Sequence, residues 1–315
     1  ALLTMAFVRE RGRGEFQSSG ERLRKASKDG DHTSIAPIIT AGANIESADS
    51  YGNTALILAA EGSHEKCVEE LLKLKARINA KDQYGQTALF HAAGSGDAKI
   101  CDLLLKHGAS TNIQTKYGQS TLMKAAYLIH HHTHYNIENL IEKKADLNLK
   151  DDKGRTCLMI ASEINKYKSA MAMLAAGAKV NDADKEGTTA LMIAAKHGNY
   201  DIVEALVGKG ADITAKNDQG CTVESITTKL SEANIDDSNH KDMLGKAIKS
   251  GKEIKEGKKK FTMREERIKA KEEAEAKARA ANLNRLKNLH EERQLEKKKI
   301  ADKAKKSAAA KPTEK

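Results

Sequence analysis

Apolar residues along this chain fall into short blocks, and two kinds of block alternate. The first is dense and small, as in ALILAA, ALFHAA and ALMIAA. The second spaces its apolar residues at i, i+3 and i+4 among Lys, Glu and Asp, as in DAKICDLLLKHG and YDIVEALVGKG, which draws a stripe along one face of a helix. A dense block predicts a helix of about eight residues, and the striped block predicts a second helix with one wet face. Thr54, Thr87, Thr156 and Thr189 stand just ahead of dense blocks, where a hydroxyl can accept from the free N–H groups of a first turn. Gly96, Gly198 or Asn165 follows the block, residue types that tolerate the left-handed backbone of a helix end. A polar loop such as ASTNIQTKYG then leads to the next pair.

This unit recurs. A Gly-Ala or Lys-Ala pair closes the second helix at Gly42, Lys75, Gly108, Lys144, Gly177 and Gly210, spaced 33, 33, 36, 33 and 33 residues. A second column keeps step at Gly52, Gly85, Gly118, Gly154, Gly187 and Gly220. Fixed self-similarity of this length is the mark of stacked repeats, each unable to bury its apolar face alone. The columns resemble the ankyrin repeat pattern D-x-x-G-x-T-P-L-H-x-A-A…G-A-x-x-N over residues 19–251. Pro of T-P-L-H is absent, replaced by Ala55, Ala88, Thr121, Cys157, Ala190 and Val223. The resemblance implies an all-α ankyrin repeat solenoid, a helix-turn-helix plus hairpin-like loop per repeat. Residues 1–18 form an N-terminal arm and 252–315 a long charged C-terminal helix. Pro37 is expected near the first turn of its helix, where a missing N–H costs little. Lys75 and Lys144, in place of glycine, mark the soft junctions. The stretch after Gly220 reads as two helices of a terminal cap.

Ankyrin arrays resemble one another as binding surfaces with no enclosed pocket, so the resemblance implies a protein partner on the concave face. Transferred residue by residue, its contact positions include Tyr51 and Asn53, Tyr84 and Gln86, then Tyr117, Gln119 and Tyr127. Lys153 and Arg155 follow in the fifth unit, and Lys185, Glu186 and Lys196 in the sixth. Tyr51, Tyr84 and Tyr117 are 33 residues apart and would form a column along the loop tips, either packed on neighbouring loops or open as interface anchors. The loop residues Asn79, Asn112, Asn148 and Asn181 match the family's Asn. It is expected to hydrogen-bond within its loop and can be a hydroxylation target in such repeats.

Composition narrows the function classes. The chain has 3% aromatic residues, no Trp and two prolines in 315 residues, so its core must come from Ala, Leu, Ile and Val. Four scattered cysteines form no C-x-x-C pair and read as buried thiols of a reducing, cytoplasmic compartment. No P-loop, G-x-G-x-x-G, H-E-x-x-H, G-x-S-x-G or kinase signature occurs. The expectation is a non-enzyme without cofactor or small-molecule substrate. The N-terminal apolar run of about eight residues is too short for a membrane span or a full signal core. The chain is either trimmed there or starts at Met5.

Charge is unevenly spread. Residues 252–315 hold 22 Lys and Arg against 12 Asp and Glu, an excess equal to the +10 of the whole chain. Ala, Glu, Lys, Arg and Leu dominate the tail, with Glu265/Lys269 and Glu273/Lys277 in the favourable i, i+4 order. The apolar stripe Leu283, Leu286, Leu289, Leu295 and Ile300 sustains no heptad for three turns, so a coiled coil is weakly signalled. The tail reads either as a solvated helix or as an arm for an acidic polymer, microtubule or RNA. Cytoskeletal or nuclear association would follow. An adaptor that grips a partner and anchors by its tail is the leading expectation; a fixed component of a filament, axoneme or ribonucleoprotein is the alternative.

The stretch YLIHHHTHYN, Tyr127 to Asn136, interrupts the array. Here the fourth unit carries its three extra residues, near Ile129 to His131. In one continuous helix His130, His134 and Glu138 would share a face fit for a metal, but the chain must reverse nearby, which favours an exposed loop over a metal or pH-sensitive contact.

Overall fold

The computed structural model describes residues 18–127, 134–226 and 238–257, all within one unit, Ala1–Lys258. Nearly all of the N-terminal arm and of the basic tail, including the coiled-coil stripe, lies outside the described residues. Helices come in six successive pairs: α1 (Ser19–Asp29) with α2 (His32–Thr40), α3 (Ala55–Glu61) with α4 (Glu65–Lys73), α5 (Ala88–Ser95) with α6 (Ala98–Lys106), α7 (Thr121–Ala126) with α8 (His134–Glu142), α9 (Cys157–Glu163) with α10 (Tyr167–Ala175), and α11 (Ala190–Lys196) with α12 (Tyr200–Gly208). A longer helix, α13 (Ser238–Lys255), comes after them and crosses the expected boundary at residue 251. Two isolated β-bridges, Gln114 with Ser120 and Ala183 with Thr189, are the only β pairing among the described residues. No helix there is long and apolar enough to cross a membrane.

First helices pack on first helices, α1 on α3 through α9 on α11, and second helices on second helices, α2 on α4 through α10 on α12. This stacking is why the dense blocks are so small. Ala55, Leu56, Ile57, Ala59 and Ala60 of α3 are all buried because helices press on several sides, and alanine lets their backbones approach. Thr54, Thr87, Thr156 and Thr189 cap their helices as expected, each accepting from the N–H three residues on, and Ser120 does the same for α7. The junction lysines take the strained conformation: φ is 61° at Lys75 and 59° at Lys144. Asn165 ends α9 at φ 57°, and Ser63, which carries no such signal in the sequence, fills the same place after α3 at φ 58°.

Two expectations are corrected. Pro37 lies in the second turn of α2, not the first, because Asp31 accepts from Ser34 N–H and starts the helix at His32. The helix tolerates Pro37 on its exposed side. The loop asparagines bond between repeats, and Asn112 accepts within its loop as well, from Thr111 Oγ1 at 3.3 Å. Asn79 Oδ1 accepts from Ser110 N–H at 3.0 Å, Asn112 from Asp146 at 2.8 Å, Asn148 from Lys179 at 2.9 Å and Asn181 from Asp212 at 2.8 Å. Glu46 serves likewise for Arg77 N–H at 2.6 Å. Stacking brings each loop against the next one's backbone, whose N–H groups would otherwise lack a partner.

Candidate functional site

Each loop tip is folded by one side chain. Asp82 Oδ1 accepts from Tyr84 N–H and Gln86 N–H, both at 2.8 Å. Asp49, Asp151, Asp184 and Asn217 repeat this pattern, and Thr115 does so at 3.3 and 3.2 Å. The first position of D-x-x-G was the available signal for these residues, yet the expected contact set omits them. At Asp49, burial pushes the carboxyl up, but the bonds from Asn53 and Tyr51, helped by Arg24, outweigh it and hold the pKa below the usual value.

Tips join to one another through the backbone. Gln83 N–H donates to Tyr51 O and Lys116 N–H to Tyr84 O, each at 2.8 Å; Asp152 donates to Tyr117 O and Lys185 to Lys153 O, each at 3.0 Å. The approach is close: a Cβ on Gly118 would lie 2.9 Å from Asp151 Cα, and every glycine of the second column, Gly220 included, has a φ between 70° and 80°.

This ladder puts Tyr51, Tyr84 and Tyr117 in one column, 58%, 43% and 55% exposed, with no hydrogen bond to their hydroxyls among the described residues. The column continues as Lys153 and then Glu186, both exposed, with exposed Lys185 beside it. Asn53, Gln86 and Gln119 sit half-buried one step inward; Asn53 Nδ2 donates to Asp49 Oδ2 at 3.1 Å. Lys196 is exposed at the end of α11.

Arg155 and Tyr127 face each other. Arg155 Nη2 donates to Tyr127 Oη at 2.8 Å and Asp151 Oδ2 at 2.9 Å, while Nη1 reaches Glu163 at 3.4 Å. Burial pushes the Tyr127 phenol up. These two expected contact residues are therefore tied together, unlike the open tyrosines. Lys124, missed in the sequence, lies 5.6 Å over the Phe90 ring and covers Gly94, while His91 Nε2 is 3.4 Å from Asp82.

Among the described residues no group of three or more His, Cys, Asp or Glu could hold a metal. α7 ends at Ala126 and α8 begins at His134. Residues 128–133, and with them the histidine metal reading, lie outside the described residues. All four cysteines are free and buried, and burial pushes the Cys101 and Cys157 thiols up to about 12.

Comparison with known proteins agrees with this geometry. A family model described as "Ankyrin repeats (3 copies)" matches residues 23–115 and again 122–217. The crystal structure of the human ASB11 ankyrin repeat domain is similar at a TM-score of 0.61 and 23% identity, covering 71% of this chain and 96% of that one. The ankyrin repeat domain of Bcl-3, described as a unique member of the IkappaB protein family, is similar at a TM-score of 0.60 and 25% identity, covering 71% and 97%. No curated protein sequence gives a significant match. Ankyrin repeats are protein-binding modules, generally without enzymatic activity, and this chain belongs to the ankyrin repeat family.

Proposed function

We propose that this protein is a non-enzymatic adaptor or scaffold that grips a protein partner along the loop tips of its array. The supporting observation is the column of Tyr51, Tyr84 and Tyr117, held in register by tip-to-tip backbone bonds and about half exposed at every step. Tyrosine brings large contact area at low entropic cost and is favoured at interface anchors. The half-buried Asn53, Gln86 and Gln119 offer amide groups beside it.

The test is a selection of peptides displayed on phage against the full-length protein, counter-screened on a variant with alanine at all three tyrosines. Binders that lose about tenfold or more in affinity for the variant support the reading. Binders indifferent to the variant would reject it. The second half of the proposal gives the tail, with its excess of ten positive charges over residues 252–315, an anchoring role on an acidic polymer. Removing that segment should abolish cosedimentation with microtubules or RNA in low salt, and leave the tyrosine-dependent binders unaffected.

A further inference from the structure

The tyrosine column has a period as well as a surface. The helices beneath it, α3, α5 and α7, pack side by side, and packed helices lie about 8–10 Å apart. Successive tyrosines thus advance by about that step, fixed by the 2.8 Å bonds from Gln83 to Tyr51 and from Lys116 to Tyr84. A chain in the polyproline II conformation has three residues per turn and rises about 3.1 Å for each, so it repeats about every 9 Å. One polyproline turn therefore spans one repeat. A β-strand returns to the same face about every 6.7 Å and two turns of an α-helix rise about 10.8 Å, so over three tyrosines each drifts further from a step of about 9 Å than a polyproline chain does. Proline rings also suit this surface chemically. They stack on aromatic faces, and their conformation is already fixed, so little entropy is lost on docking.

Past the tyrosines the column becomes charged. The tip position after Tyr117 is Lys153, exposed, with exposed Lys116 before it and Lys185 after it. Exposed Asp152, Glu186 and Asp218 lie among and beyond them, so it is Lys153 itself, the first tip side chain past Tyr117, that offers a cation to an acidic residue of a segment running on from the tyrosines. A second copy of the chain cannot supply the ligand, because its only prolines are the isolated Pro37 and Pro312.

We infer that the tip column binds a proline-rich segment in the polyproline II conformation, one turn on each of Tyr51, Tyr84 and Tyr117, with an acidic residue set against Lys153. The inference rests on the proposed binding role of the column and names the class of partner. Fluorescence anisotropy with the full-length protein tests it, using two labelled peptides of equal length, one of ten prolines ending in Asp-Glu and one of Gly and Ser with the same ending. The proline peptide should bind about tenfold tighter or better, and Tyr84→Ala should weaken it about tenfold. Tyr84→Phe, which keeps the ring, should stay within about twofold of the parent. Lys153→Glu should weaken the Asp-Glu peptide and not a version ending in Ala-Ala. Equal affinity for the proline and Gly-Ser peptides, or proline binding untouched by Tyr84→Ala, overturns the inference. The displayed library separates the two levels. Tyrosine-dependent binders without spaced prolines would overturn the polyproline assignment alone, whereas a library with no tyrosine-dependent binder would overturn the binding role as well.

Discussion

At Lys75 an exposed lysine is held at φ 61°, where Gly42 and Gly108 hold the same junction in the repeats on either side. A side chain in the left-handed region costs about 1–2 kcal/mol, and glycine returns part of that gain through the greater freedom of its unfolded chain, about 0.5–1 kcal/mol. Lys75→Gly should therefore stabilise the protein by about 0.5–1 kcal/mol, read from the urea midpoint, while Lys75→Ala keeps the Cβ and the strain and gains nothing. Thr121 presents a different residue-scale conflict. Its hydroxyl is buried without a hydrogen-bond partner among the described residues, at the helix position where other repeats carry Ala, Cys or Val. Thr121→Val keeps the shape and removes the orphaned group, so it should raise the melting temperature, by a gain of about 1 kcal/mol. Loss of stability would mean that the hydroxyl has a partner after all.

Among the elements, α13 departs from the pattern. It is 18 residues long against 9 in α12, on which it packs. Two glycines on it face opposite circumstances. A Cβ on Gly251 would lie 2.7 Å from Glu204 O and 2.6 Å from Val207 Cβ, whereas one on Gly245 would meet nothing within 4 Å. Ser250 Oγ, next to the tight point, donates to Glu204 Oε1 at 2.7 Å. The same substitution should then have opposite signs in one helix. Gly245→Ala should stabilise by about 0.5–1 kcal/mol through lower backbone entropy, and Gly251→Ala should destabilise by about 1–3 kcal/mol by forcing the helices apart. Hydrogen exchange should locate the second loss in α12 and α13, since each repeat touches only its neighbours. The paired helices were legible in the sequence because Thr, dense Ala-Leu and Gly stand at fixed offsets, each with a local cause. What was not legible depends on partners far along the chain. The asparagines find backbone groups 31 or 34 residues away, and Arg155 finds Tyr127 28 residues back. Pro37 was misplaced because Asp31, not the proline, sets the start of α2. The tip tyrosines were visible as a 33-residue period, but their shared exposure emerges only from stacking.

On the scale of the whole molecule, the carboxylate of one loop tip, Asp49, links acid stability to the bonds that fold the tip. The Asp49 carboxyl is held below its ordinary pKa by the bonds from Asn53 and Tyr51, against the upward push of burial. A carboxylate whose pKa is lowered on folding binds fewer protons than the unfolded chain does, so its stabilising contribution is complete above the unfolded value of about 3.9. That contribution fades as pH falls through the lower folded value. Asp31 and Asp212 are lowered too, first by side-chain bonds from Ser34 and Thr214 respectively, and act in the same direction from more exposed sites. The melting temperature should therefore fall below about pH 4, with these three groups contributing little change between pH 5 and 7. The array itself supplies the control. Asn217 does the work of Asp49 without a charge, accepting from Gln219 N–H at 3.1 Å and Cys221 N–H at 2.8 Å. Asp49→Asn should accordingly fold with its tip intact at pH 7 and show a shallower loss of stability below pH 4 than the parent protein. An unchanged acid slope would place the proton uptake at other carboxylates, and a large loss at pH 7 would show that the tip needs the full charge. Because tip joins tip through the backbone from Tyr51 to Asp218, a tip loosened by acid also loosens the register of the tyrosine column, so affinity for a tip-bound segment should decline over the same pH range.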